Sequence, residues 1–234
     1  MVETFKILGV VFDTSLVMAS EIHQLVTNVS WKVTTILRVR KYFSVRECID
    51  LYKSKVLSYI EYRTAALYHS CDTHLNRLDA VQRRFLNELD ITEEDAIVQF
   101  NLAPLSVRRD VAMLGLIHRA VLGDGPEQLK QFFHRSPEGP RTCKSRLAAR
   151  RHNKQLVDPR NCAFLEITRR SALGLVAVYN LLPQVAVDIT SVKAFQSQLQ
   201  NIVKRELHLQ NPEWQQLLSP RVPIYRHPLI YIDV

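Results

Sequence analysis

Apolar residues recur at helical spacing through most of this 234-residue chain, and this pattern is the strongest constraint on its fold. The first such segment starts near Ser20. The second follows Ser44, a favourable N-cap residue with Glu47 three positions later, which is the spacing of a capping box. Because each segment has one apolar face, the two predict adjacent helices that pack as an antiparallel hairpin.

The same pattern continues beyond the hairpin. A third helix is predicted to start near Asp72 or Thr73, a short helix after the N-cap residue Thr92, and a longer one after Ser106 that stops at Gly123. Near the end of the chain, Ser191 precedes a further amphipathic segment. The sequence therefore predicts a mainly α protein with two helical regions, the second being the smaller.

The N-terminal segment has a different pattern. Residues Phe5 to Asp13 form an apolar run that predicts a single short β-strand. A lone strand cannot bury both of its faces, so we expect this one to be unpaired and a possible attachment point for a protein partner.

The charge of the chain points to a polyanionic partner. Its formal net charge is +8 and its pI is about 9.5. Residues 133–170 interrupt the helical pattern with prolines and hold ten Lys or Arg residues against three acids, a net charge of +7. Two interpretations of this segment stay open: a solvated, partly disordered connector, or an electrostatic clamp on phosphates.

Several enzyme and cofactor classes lack their sequence signatures. The chain has no adjacent pair of aspartates, no G-x-S-x-G elbow and no phosphate-binding P-loop. Its four cysteines lie far apart without a C-x-x-C pair, so we expect neither a metal site nor a cofactor. No secretory signal and no membrane-length apolar run are found, so we expect an intracellular protein, nuclear or cytoplasmic, with no membrane partner.

Three segments resemble reverse transcriptases of non-LTR (LINE-type) retrotransposons, in the order of that family. Phe5 to Asp13 resembles the strand with a leucine-glycine-x-x-x-aspartate ending that follows the catalytic core. Leu78 to Leu86 is similar to the helix with a valine-glutamine-arginine-arginine motif beyond the thumb. Tyr179 to Pro183, followed by Ser191 to Phe195, resembles the C-terminal tryptophan-asparagine-x-leucine-proline segment, although a tyrosine replaces the tryptophan here.

The resemblance implies a domain organisation. Residues 1–15 would be a remnant strand of the palm, 16–132 a helical thumb-like bundle, 133–170 the basic linker, and 171–234 a C-terminal connector with one amphipathic helix and a proline-rich tail. The family draws its catalytic carboxylates from an aspartate pair in the palm, and this pair is missing here. We therefore expect no polymerase activity from this chain alone.

The resemblance also implies a partner. A polymerase thumb holds template–primer nucleic acid, RNA or an RNA–DNA duplex, by contacts to phosphates that do not depend on base sequence. The candidate contacts are all basic and comprise Lys32, Arg38, Arg40, Lys41, Arg46, Lys53, Lys55, Arg83, Arg84, Arg146, Arg150 and Arg151.

Three alternatives stay open. One of Arg83 and Arg84 could face solvent while the other pairs with an acid such as Asp79 or Glu88. Tyr42 and Phe43 could stack on a base or close the core of the helical hairpin, and we favour the core. The whole chain could be an inert helical scaffold or protein-interaction module derived from a mobile element.

Overall fold

The protein is mainly helical, with a short two-stranded antiparallel sheet at its N-terminus. A computed structural model describes residues 4–136, 152–158 and 166–232. The predicted fold class is confirmed. The chain divides into two compact units, Met1–Leu105 and Ser106–Val234.

The N-terminal segment is a β-hairpin, so the prediction of a single unpaired strand is wrong. Strand β1 (Thr4–Ile7) pairs with β2 (Val10–Asp13), and Ile7 lies opposite Val10. The two turn residues, Leu8 and Gly9, have φ angles of 48° and 80°. A two-residue turn with positive φ at both positions matches the twist of a hairpin, and glycine adopts this conformation without a steric penalty.

Two hydrogen bonds hold the hairpin on the first unit. The backbone N–H of Val11 donates to the Glu21 carboxylate at 3.0 Å. The hydroxyl of Tyr62 donates to the carbonyl oxygen of Leu8 in the turn, at 2.8 Å. Glu21 lies in the first turn of the first α-helix and Tyr62 directly after the third, so the hairpin has a defined position on the helices.

The described part of the first unit contains six α-helices. A 3-10 turn extends one of them, and a π-helical segment joins two others. The six helices are α1 (Ala19–Val39), α2 (Val45–Tyr52), α3 (Ser58–Glu61), α4 (Thr64–Leu67), α5 (Asp72–Asn87) and α6 (Glu93–Phe100). A 3-10 turn, Arg40–Tyr42, follows α1, and a π-helical segment, Lys53–Leu57, connects α2 to α3.

Local sequence signals set most of these helix ends. Ser44 accepts the backbone N–H of Glu47, and the Glu47 side chain accepts that of Ser44, so the predicted capping box is confirmed. Thr92 accepts the N–H of Asp95, as expected of an N-cap. These bonds satisfy backbone donors that the first helical turn leaves unpaired.

A polar connection in the core of the first unit joins three of its segments. Tyr52 stacks on Phe85 with 4.5 Å between ring centroids, and its hydroxyl donates to the Gln82 side chain. The amide of buried Gln82 in turn donates to the carbonyl of Ala103 at 3.0 Å. Gln82 therefore ties α5 to α2 and to the segment that ends this unit.

The second unit contains one long helix near each end of its described chain. These are α7 (Leu105–Val121) and α12 (Val192–His208), with the shorter α8 (Glu127–Lys130), α9 (Glu166–Arg170), α10 (Leu175–Tyr179) and α11 (Gln184–Val187) between them. Ser191 caps α12 as predicted. The prediction for Ser106 is wrong, because α7 already includes Leu105.

Buried histidines organise the second unit. His118 is fully buried, with Nδ1 2.9 Å from the Tyr179 hydroxyl and Nε2 2.7 Å from the carbonyl of Ile189. His152 lies in the short described segment 152–158, and its Nε2 contacts the Tyr179 carbonyl at 3.0 Å. Burial lowers the pKa of both imidazoles. His118 therefore has a structural role, since it is buried and both of its ring nitrogens have partners.

Candidate nucleic-acid interface

Five of the predicted basic residues lie together on the first unit. They line two adjoining surface clefts, of about 650 Å³ and 340 Å³, where the C-terminal ends of α1 and α5 meet. Arg40 and Arg84 line both clefts. We call this set the cation cluster, and its members are Arg38, Arg40, Lys41, Arg83 and Arg84.

Helical periodicity explains why two adjacent arginines of α5 both face outward. Gln82 and Phe85 occupy the buried face of α5, and Arg83 and Arg84 fall between them on the exposed side. Within the described residues, neither arginine side chain forms a salt bridge or hydrogen bond. The alternative in which they pair with Asp79 or Glu88 is therefore not found.

One ion pair lies inside the cation cluster. Arg40 donates to Glu88 at 2.6 Å, and both side chains are about half exposed. This hydrogen bond and the charge of Arg40 lower the pKa of Glu88, which stays ionised. Glu88 and Asp90 are the acids that line the clefts, so five cations face two carboxylates and the surface keeps a positive charge.

The other four predicted contacts in the helical hairpin lie apart from the cation cluster clefts. Lys32 lies over the ring of Tyr59. Arg46 stacks over Phe100, and the half-buried Lys53 donates to the carbonyl of that same residue. Lys55 is exposed. The remaining predicted contacts, Arg146, Arg150 and Arg151, lie outside the described residues.

Aromatic residues near the cation cluster are more exposed than predicted. Tyr42 is 73% exposed and Phe43 is 44% exposed, so the preferred interpretation that they close the hairpin core is wrong. Tyr42 lies in the 3-10 turn after α1, which contains no buried residue, and Lys41 lies over its ring at 4.9 Å.

Two exposed residues of these helices were not among the predicted contacts. Arg77 lies seven positions before Arg84 on α5, a spacing of two helical turns that places both on one face. Trp31 lies on the exposed side of α1 and is 71% exposed. A tryptophan outside the apolar stripe of an amphipathic helix is a sequence signal that would have identified it.

The chemistry available here is electrostatic. Guanidinium and ammonium groups donate hydrogen bonds to phosphate oxygens, and Arg does so through a planar fork. No group of three or more His, Cys, Asp or Glu residues in the described part of the chain could hold a metal ion. No helix among the described residues is long and apolar enough to cross a membrane.

Comparison with known proteins adds no relative to this picture. No protein-family model, curated protein or solved structure matches the chain. The resemblance to non-LTR reverse transcriptases therefore stays a prediction, and the function is inferred from the cation cluster.

Proposed function

We propose that the first unit is a thumb-like module of a non-LTR retrotransposon reverse transcriptase, which holds template–primer duplex through its phosphates. The observation that supports this proposal is the convergence of five cations on the joined ends of α1 and α5. They come from positions 38 to 84, and two of them belong to the arginine pair of the family-like motif.

The local charge favours a polyanion over a small acidic ligand. Both clefts are shallow surface features, and their lining groups are spread over two helices and the connecting turn. Such an arrangement suits an extended row of phosphates, which fixes position without reading base sequence. We therefore expect binding to RNA–DNA and RNA duplexes with little dependence on sequence.

Salt dependence tests this proposal. If all five cations contact phosphates, log Kd for an RNA–DNA duplex should change with log salt concentration with a slope magnitude of about 4 to 5. Between about 50 and 200 mM KCl the affinity should fall by roughly two to three orders of magnitude. Fluorescence anisotropy with a labelled duplex of mixed sequence measures both quantities.

Charge reversal at the cation cluster should weaken binding in a predictable way. We expect the double variant Arg38→Glu, Arg84→Glu to bind the duplex at least roughly tenfold more weakly and to lower the salt slope by about 2. Lys193→Glu with Arg226→Glu is the matched control, because it changes the net charge equally at exposed positions of the second unit.

Stability must be followed in parallel, because cations in the last turn of a helix also stabilise it. The neutral variant Arg38→Gln, Arg84→Gln avoids placing acids at the helix ends, and circular dichroism reports whether each variant is folded. Equal weakening by the cluster variant and the control, with both folded, would contradict the proposal.

A further inference from the structure

The exposed face of α1 continues away from the cation cluster and carries Trp31 at its middle. Other residues form the buried face of this helix, among them Val29 and Val33, which lie two positions before and after Trp31. Trp31 is 71% exposed, whereas the chain's other tryptophan, Trp214, is 6% exposed. Trp31 thus presents its indole ring to solvent with no part in the core.

The residues around Trp31 are polar and carry no negative charge. Thr27, Asn28 and Thr35 lie one turn away on the same face, and all three are exposed. Between residues 14 and 46 the only acid is Glu21, which is buried and paired with Arg63. Helix α1 itself therefore presents no exposed acid that would repel a polyanion, and Glu88 of α5, which borders the face near Arg38, is paired with Arg40.

This polar surrounding also bears on the kind of partner. Large contiguous apolar patches on a surface mark protein-binding sites. Trp31 instead stands singly among hydroxyl and amide side chains. A planar ring among polar side chains of a helix with no exposed acid near it in sequence suits nucleic acid, since bases stack on aromatic rings while the backbone stays near polar and basic groups.

Trp31 lies close to the cation cluster along the helix. Arg38 follows it by seven residues, two helical turns or about 10 Å along the axis, and lies on the same face. Beyond Arg38 come Lys41 and the second exposed ring, Tyr42. Exposed rings thus lie on both sides of Arg38 and Lys41, the combination of aromatic and basic side chains found where proteins bind single strands.

We propose that this face of α1 binds an unpaired strand of nucleic acid, with a base stacked on Trp31, where that strand leaves the duplex held by the cation cluster. The inference rests on the proposed function. Inside a duplex each base is covered on both faces by its neighbours, so an exposed indole gains a stacking partner only from an unpaired or terminal base. The occupant is therefore single-stranded.

The test compares three duplexes that share one sequence. The first is blunt, the second carries an overhang of about five nucleotides, and the third carries an abasic overhang with the same phosphates. Overhangs of both polarities are used. We expect the overhang with bases to quench the tryptophan fluorescence of the wild-type protein and to bind more tightly than the other two.

Substitution at Trp31 should remove this advantage selectively. Trp31→Ala is expected to weaken binding of the overhang substrate by about five- to 100-fold, with the blunt duplex unaffected, and Trp31→Phe should weaken it less. Tyr225→Ala, which removes a comparably exposed ring from the second unit, is the control and should change neither.

The outcomes separate the two proposals. Equal binding of the overhang substrate by wild type and Trp31→Ala overturns this inference. If the blunt duplex still binds in a salt-dependent way, the proposed function stands. Quenching and tight binding by the abasic overhang also overturn it, because stacking is then not involved. Absence of binding to every duplex overturns both.

Discussion

Replacing Arg63 by alanine is expected to lower the free energy of unfolding by about 3 to 5 kcal/mol. Arg63 Nε donates to Glu21 at 3.0 Å, and the two side chains are only 12% and 5% exposed. Removing the guanidinium would leave a carboxylate buried without its counter-charge. Arg63 also lies 4.2 Å over the ring of Tyr59, so packing is lost as well. Urea denaturation measures the change.

The exposed pair between Arg40 and Glu88 provides a matched control. Arg40→Ala breaks an ion pair of the same chemical type. Because both side chains of this pair are about half exposed, we expect the free energy of unfolding to fall by no more than about 1 kcal/mol. Losses of similar size in the two variants would show that burial does not control the effect.

Acidification from pH 6.5 to pH 4 is expected to destabilise the second unit through its buried histidines. Burial lowers the pKa of His227 from 6.5 to about 4. Its Nε2–H donates to the Ser219 carbonyl, and its Nδ1 accepts the N–H of Leu229, so the ring has no site for a second proton.

The direction and size of this effect follow from proton linkage. The unfolded chain takes up the proton near pH 6.5, whereas the folded protein takes it up only near pH 4. The stability linked to His227 is therefore complete above about pH 6.5 and is lost as the pH falls to about 4, a change of about 3 kcal/mol. His118 and His152, whose pKa values are also lowered, add to it.

Chemical denaturation at a series of pH values tests this prediction. His227→Asn keeps an oxygen that can accept the Leu229 N–H but does not titrate, so the free energy of unfolding should depend less steeply on pH between 6.5 and 4. His208→Asn, at an exposed position, should leave the slope as it is. A slope unchanged by His227→Asn would contradict the assignment.

Features that depend on neighbouring residues could be predicted from the sequence. Ser44, Thr92 and Ser191 cap their helices as expected, and α5 begins at Asp72. These signals work because a cap bonds to backbone groups two or three residues away. The β-hairpin was missed because Leu8 adopts a positive φ that its residue type does not favour.

The candidate site could be predicted only in part. Charge and the arginine pair identify the basic residues near the ends of α1 and α5 as candidate contacts, but they do not predict that these residues share one surface. In the sequence, Lys53 and Lys32 are as basic as Arg38. In the structure, Lys53 contacts Phe100 and Lys32 contacts Tyr59, so both lie apart from the cation cluster. Which cations share a surface depends on how helices pack, and a single helix does not encode it.

The sequence by itself determined the long helices, the caps at Ser44, Thr92 and Ser191, and the basic character of this protein, because each is set by residues close together in the chain. Only the tertiary structure decided that Glu21 is buried against Arg63, 42 positions away, and that His118 bonds to Tyr179, 61 positions away. It also brought Arg38 and Arg84 to one surface. These contacts form only when distant segments pack together, so the free energy of burial selects them.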